Sequence, residues 1–217
     1  MSTNATLTLY YAPRTRSFAA LWLLEELKEL GELGEEYRLE SFDIETARQK
    51  QADYLALNPM GKVPLIVHGK LPVSELGAIF IHLADSFPRA GLGPSIEDPQ
   101  RPAFLKWIFF SSAIMEPAFA QKIFQWEIPA KSAAWGSFDQ MLQVLTDALA
   151  ESTWLLGESF SSADVLVGSA LRFGQIIGII PGDGPIQAYI SRLKQRDAFV
   201  RAMAIEERES DRFPPVT

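Results

Sequence analysis

Leu55-Ala56-Leu57-Asn58-Pro59-Met60-Gly61-Lys62-Val63-Pro64-Leu65-Ile66 joins a helix end, a turn with two prolines and the start of an apolar strand in one segment. Pro59 biases Asn58 away from helical backbone, so the preceding helix stops there, and Gly61 supplies the permissive backbone that a reversal needs. If the Val63-Pro64 bond is cis, the Val63 amide and carbonyl point away from the sheet that Leu65 and Ile66 begin, and an extended peptide can pair with them. The segment reads as a ligand-holding turn.

Working outward, Thr6 to Tyr11 reads as a strand broken by Pro13, after which Ser17 can cap a helix running to about Leu30. Glu36 to Phe42 predicts a second strand, Thr46 to Leu57 a second helix, and Pro64 to Val67 a short apolar strand. His68-Gly69-Lys70 turns into a strand at Leu71 to Val73, and Glu75 to Ser86 predicts a helix with Ile79 and Leu83 near one face. The proline- and glycine-rich stretch Pro88 to Ser95 reads as a linker without apolar periodicity. Beyond Asp98 everything reads helical: Pro102 to Trp126, Ser132 to Ser152, Ser161 to Gly174 and Pro185 to Ala204. The charged, proline-ended tail from Glu206 to Thr217 carries no predicted structure. The expected organisation is an α/β domain at 1–87, a linker at 88–97 and an all-helical domain at 98–217.

At 217 residues and 47% hydrophobic, the chain can bury one large core or two modest ones, and it shows no apolar run suited to spanning a membrane. A formal charge of -7 argues against nucleic acid as the main partner. The first residues lack a secretory pattern, so a cytoplasmic location is expected. With no cysteine, the chain offers no disulfide, thiolate metal site or cysteine nucleophile. Its two histidines, His68 and His82, suggest neither a metal cluster nor a serine-histidine pair and read as structural.

The turn at 58–64 resembles the glutathione-binding turn of glutathione transferases, whose first domain has a thioredoxin-like fold and whose second is all-helical. In that family the residue before the cis proline, here Val63, pairs in strand fashion with the cysteinyl unit of glutathione. Trp154-Leu155-Leu156-Gly157 followed by Phe160-Ser161-Ser162-Ala163-Asp164-Val165 is similar to the start of a helix in the family's helical domain. There Ser161 and Asp164 stand at N-cap and N3, and Asp164 reads as structural. Arg196 to Ala202 also resembles the junction of the family's last main helix. The resemblance implies a glutathione transferase that activates the thiol of glutathione for attack on a small apolar electrophile, as a homodimer and without a metal. It also admits two alternatives, a binding or regulatory protein with little turnover and glutathione-dependent peroxide reduction.

A free thiol with a pKa of about 8.5 is only a few per cent ionised at neutral pH, so the site must stabilise the thiolate. Lowering that pKa by two units requires about 2.7 kcal/mol, close to one hydrogen bond to a charged acceptor. The strand-helix junction Tyr11-Ala12-Pro13-Arg14-Thr15-Arg16-Ser17 offers hydroxyl donors. Arg14 and Arg16 fall where serine- and cysteine-using classes of the family carry those residues, so the activating group cannot be copied across. Ser17 is the first candidate, Thr15 the second and Tyr11 the third, each with an ordinary cap, loop or strand role as the alternative. The resemblance further implies that Gln49, Lys50 and Lys62 hold the glycine carboxylate and that Glu75 holds the γ-glutamyl amine. In the family's Glu-Ser-x-Ala-Ile pattern a serine hydroxyl binds the γ-glutamyl carboxylate. This chain has Leu76 there and keeps only its backbone amide at a helix start. The cluster Phe109, Phe110, Met115, Phe119, Phe124 and Trp126 is expected to divide between core and an apolar substrate pocket.

Overall fold

The computed structural model describes residues 6–33 and 37–214. These divide into two compact units, one made of the residues up to 90 together with those from 196 onward, the other of residues 91–195.

In the first unit, strands β1 (Leu7–Tyr11), β2 (Arg38–Ser41), β3 (Leu65–His68) and β4 (Leu71–Ser74) form one sheet in the order β2-β1-β3-β4. β1 runs parallel to β2 and antiparallel to β3, and β3 is antiparallel to β4. Leu7, Leu9 and Tyr11 alternate onto the buried face of β1, as a half-covered strand requires. Helix α1 (Ser17–Glu29) brings Leu21, Trp22, Leu23, Leu24 and Leu27 into the core, and helix α3 (Leu76–Ser86) adds Ile79, Phe80 and Leu83. The expected thioredoxin-like architecture is present. Glu36, the first residue of the expected second strand, lies outside the described residues.

The expected helix at Thr46–Leu57 is not continuous. Residues Ile44–Thr46 and Arg48–Lys50 form 3₁₀ turns, and only Ala52–Leu55 (α2) is α-helical. Ala47 takes a left-handed conformation (φ 54°) and Gln51 an extended one, and either interrupts the hydrogen-bond ladder.

The second unit holds α4 (Arg101–Phe109), α5 (Glu116–Phe124), α6 (Phe138–Ala150), α7 (Ser162–Ile176) and α8 (Gly184–Lys194). The stretch predicted as one helix from Pro102 to Trp126 contains a π-helical segment at Phe110–Met115, just ahead of Pro117. A proline nitrogen cannot donate to the ladder, and the wider turns there redistribute the remaining bonds. Residues 101–124 are long and apolar enough to cross a membrane by composition, but Phe104, Trp107, Ile108, Met115 and Phe119 are buried as core. Phe109, Phe124 and Trp126 are exposed, the last two stacked with ring centroids 5.6 Å apart. Helix α6 begins later than Ser132 because Ser137 caps it, its side chain accepting from the Gln140 N–H at 3.1 Å.

Ser161 and Asp164 form the expected capping box at the start of α7. The fully buried Asp164 carboxyl accepts from the Leu155 and Ser161 amides at 2.9 and 2.8 Å, and from the Ser161 and Tyr189 hydroxyls at 3.0 Å each. Burial pushes this carboxyl up and the four donors pull it back. Asp164 ties the 154–157 turn, α7 and α8 together.

The expected helix Pro185–Ala204 is two helices. Arg196 is extended between α8 and α9 (Asp197–Arg212), and α9 runs well into the tail that was expected to lack structure. It belongs to the first unit, where it packs along α1. Arg196 donates two bonds of 2.7 Å to the Glu26 carboxylate, which also accepts from Trp22 Nε1 at 2.9 Å. Arg201 reaches Glu25 at 3.0 Å and Glu29 at 2.7 Å. Phe199 packs edge-on against Trp22, with centroids 5.0 Å apart. Glu25 and Glu26 are buried, so these partners fix the register of α9 more than they add stability.

Candidate functional site

Sheet register assembles the site. Tyr10 pairs with Leu65 and Leu65 with Ser74, so one step on, Tyr11, Pro64 and Glu75 lie at the same end of three adjacent strands. The chain leaves β1 there into the 12–16 loop and α1, and leaves β4 there into α3. Turn, loop and helix start therefore face one edge.

The turn is braced from below. The Lys62 carbonyl accepts from Tyr54 Oη at 2.6 Å and from Asn58 Nδ2 at 2.9 Å, while Asn58 Oδ1 accepts from the Met60 amide at 3.2 Å. Gly61 has φ 58°, and a Cβ there would sit 2.7 Å from the Gln49 carbonyl, so both conformation and space demand glycine. The Val63-Pro64 bond is cis. Val63 is half-buried, and neither its N–H nor its C=O bonds another described residue. A strand-like residue beside a sheet whose N–H and C=O are unpaired among the described residues can accept an extended ligand. Tyr54 and Asn58 act as braces, a role the sequence reading missed. Asn58 was legible only as a helix stop, and Tyr54 gave no signal.

The three hydroxyl candidates separate by access. Ser17 does not cap α1: it is the first helical residue, fully buried, with its hydroxyl 2.8 Å from the Ala12 carbonyl and accepting the Ala12 amide at 3.2 Å. Thr15 Oγ1 lies 2.7 Å from Ser17 Oγ and 2.7 Å from the Ala12 carbonyl, and accepts the Ser17 amide at 3.1 Å. The two hydroxyls and the Ala12 carbonyl form a small ring. Thr15 is half-buried, so its proton is the one that can turn outward while Ser17 supports its oxygen from behind. Tyr11 is fully buried, and its hydroxyl bonds no described residue.

Among the carboxylate-binding candidates, Gln49 is buried and donates to the Ile44 carbonyl at 3.2 Å, while its Oε1 has no partner among the described residues. Lys50 is exposed and donates to the Met60 carbonyl at 3.0 Å, bracing the turn. Lys62 is exposed, and its side chain bonds no other described residue. Gln49 therefore faces the interior, whereas both lysines flank the turn.

Glu75 has φ 68°, a left-handed value that costs a non-glycine residue about 1–2 kcal/mol. It is exposed, and its side chain bonds no other described residue. The first bond of α3 runs from the Ile79 amide to the Glu75 carbonyl, so the Leu76, Gly77 and Ala78 amides precede the helical ladder. That end of α3 favours an anion, and the exposed Glu75 carboxylate beside it favours a cation. A zwitterionic amino acid head fits both.

A profile of the glutathione S-transferase N-terminal domain matches residues 5–85, and one of the C-terminal domain matches residues 106–197. Glutathione S-transferase GstA of Escherichia coli O157:H7 is 27% identical over 203 residues, which are 91% of this chain and 98% of that protein. The disulfide-bond oxidoreductase YfcG of Escherichia coli strain K12 is 32% identical over 170 residues, 72% of this chain and 75% of its own. Among solved structures, a sphingomonad glutathione S-transferase complexed with glutathione superposes with a TM-score of 0.74 at 26% identity, covering 92% of this chain and 98% of that one.

Proposed function

The chain belongs to the glutathione S-transferase family, and from that premise we propose that it activates the thiol of glutathione for attack on a small apolar electrophile. The observation that carries this reading is Val63, whose unpaired backbone stands at the same sheet edge as the 12–16 loop and the start of α3. The cysteinyl unit of the tripeptide pairs with Val63, its γ-glutamyl head lies between Glu75 and the Leu76 amide, and its glycine carboxylate meets Lys62 with Lys50 alongside. The sulfur then lies toward the loop, where Thr15 donates to the thiolate and Ser17 holds the Thr15 oxygen. One such charge-assisted bond supplies the roughly 2.7 kcal/mol that a two-unit fall in thiol pKa requires. Bound next to the ionised sulfur, the electrophile gains from proximity as well as from nucleophile strength. The same thiolate serves peroxide reduction as a side activity, and a cytoplasmic homodimer belongs to the same proposal.

A second reading, a binding or regulatory protein with little turnover, draws support from Leu76 and from hydroxyls already engaged with Ala12. Calorimetry with glutathione, paired with conjugation of a generic aromatic halide, separates the two. The transferase reading expects measurable binding and turnover, with Thr15→Ala losing at least about tenfold in kcat at nearly constant glutathione affinity and Tyr11→Phe close to wild type. Binding without turnover selects the second reading, and no binding at all removes both.

A further inference from the structure

Arg14 is the one loop residue between β1 and α1 with a left-handed backbone, φ 60°, and it is not glycine. Among the described residues three hydrogen bonds hold it, two to α9 and one to Phe213, the residue that ends it. Its amide donates to Glu206 Oε1 at 2.8 Å, and its guanidinium donates to the Ser210 carbonyl at 3.3 Å and the Phe213 carbonyl at 2.5 Å. The guanidinium thereby satisfies backbone carbonyls at the C-terminal end of α9, where a cation is favoured. Nearby, Ser41 donates to Glu209 at 2.5 Å, which brings the end of β2 into the same arrangement. The last turns of α9 are in this way built onto the loop that carries Thr15. Glu206 is half-buried, its Oε2 has no partner among the described residues, and burial pushes its carboxyl up while the Arg14 amide pulls it back.

We propose that Glu206 is a positioning residue for thiol activation, its carboxylate fixing Arg14 in the left-handed conformation that sets the direction of Thr15. The proposal rests on the transferase reading above and deepens it. Glu206 acts through the backbone and does not touch the tripeptide. An unclamped Arg14 relaxes toward right-handed or extended backbone, which any L residue prefers, and the next residue swings with it.

The test uses the full chain. Glu206→Ala is expected to lower kcat for halide conjugation about tenfold and to raise the pH at which bound glutathione ionises, followed by thiolate ultraviolet absorbance, with glutathione affinity changed less than about twofold. Glu206→Gln, whose amide oxygen still accepts the Arg14 N–H, is expected to recover most of both. Arg14→Gly and Arg14→Ala remove the same guanidinium and differ in how readily the backbone turns left-handed, so the glycine variant keeps several-fold more turnover. Hydrogen exchange at the Arg14 amide, measured without glutathione, is slow in the wild type and in Glu206→Gln and fast in Glu206→Ala. Wild-type behaviour of Glu206→Ala, or equal loss in both Arg14 variants, overturns the positioning role. If Glu206→Ala does not fold, the Arg14 pair decides alone. A wild-type chain that binds glutathione without ionising it overturns the transferase reading and this role with it, while Arg14 exchange still reports whether the clamp exists.

Discussion

Restoring a hydroxyl at position 76 is expected to tighten glutathione binding. Leu76 is the first residue of α3, directly after the left-handed Glu75, and its own amide and those of Gly77 and Ala78 precede the helical ladder. A serine there adds an O–H beside three N–H groups at a helix start, a place that favours an anion. A hydrogen bond to a charged acceptor contributes about 1.5–3 kcal/mol, equivalent to roughly a tenfold to hundredfold gain in affinity. Against that, Leu76 is half-buried, so losing its side chain costs about 1 kcal/mol of folding stability. For a chain of this size that is a fall of about 2–4 °C in Tm. The signature of Leu76→Ser is thus a slightly less stable protein that binds glutathione more tightly, read by calorimetry and a melting curve on the same sample. A folded variant with unchanged or weaker affinity would refute the placement of the γ-glutamyl carboxylate at the start of α3.

Gly61→Ala should weaken glutathione binding by more than about tenfold and lower stability, because the new Cβ would meet the Gln49 carbonyl at 2.7 Å in a turn with φ 58°; unchanged calorimetric affinity would mean the turn does not hold the ligand. Asp164→Ala leaves the Leu155 and Ser161 amides and the Tyr189 hydroxyl without their acceptor in a buried place, and should cost about 3–5 kcal/mol in urea unfolding, with Asp164→Asn milder; a loss under about 1 kcal/mol contradicts the hub. His68 Nδ1 and His82 Nε2 lie 3.0 Å apart, and partial burial lowers both pKa values below the ordinary 6.5. The unfolded chain therefore takes up protons first, so their contribution is complete above about pH 6.5 and is lost as pH falls from there through the lowered values. His82→Gln should flatten the dependence of unfolding free energy on pH across that window, and an unchanged slope would show that the pair does not titrate differently on folding.

Local chemistry explains what was legible. The Asn58-Pro59, Gly61 and Val63-Pro64 turn, the alternating Leu7 to Tyr11 strand and the Ser161 to Asp164 capping box depend on neighbours within a few residues, so the sequence contains their causes. The helix expected at Thr46–Leu57 failed for a conformational reason: nothing in Ala47 announces a left-handed residue. The burial of Ser17, Thr15 and Tyr11 also needed coordinates, because residue type gives a hydroxyl's chemistry while its exposure depends on packing. Ser17 and Tyr11 are both fully buried, which composition could not reveal.

The order of the strands along the chain, the turn at 58–64 and the departure at Leu76 belong to the sequence itself, since backbone preference and side-chain type act locally. The return of α9 to α1 belongs to the tertiary structure. Arg196 and Glu26 are 170 positions apart, and Arg14 and Glu206 are 192 apart. Partners so distant are brought together by packing around a shared core, and no window of neighbouring residues contains the cause.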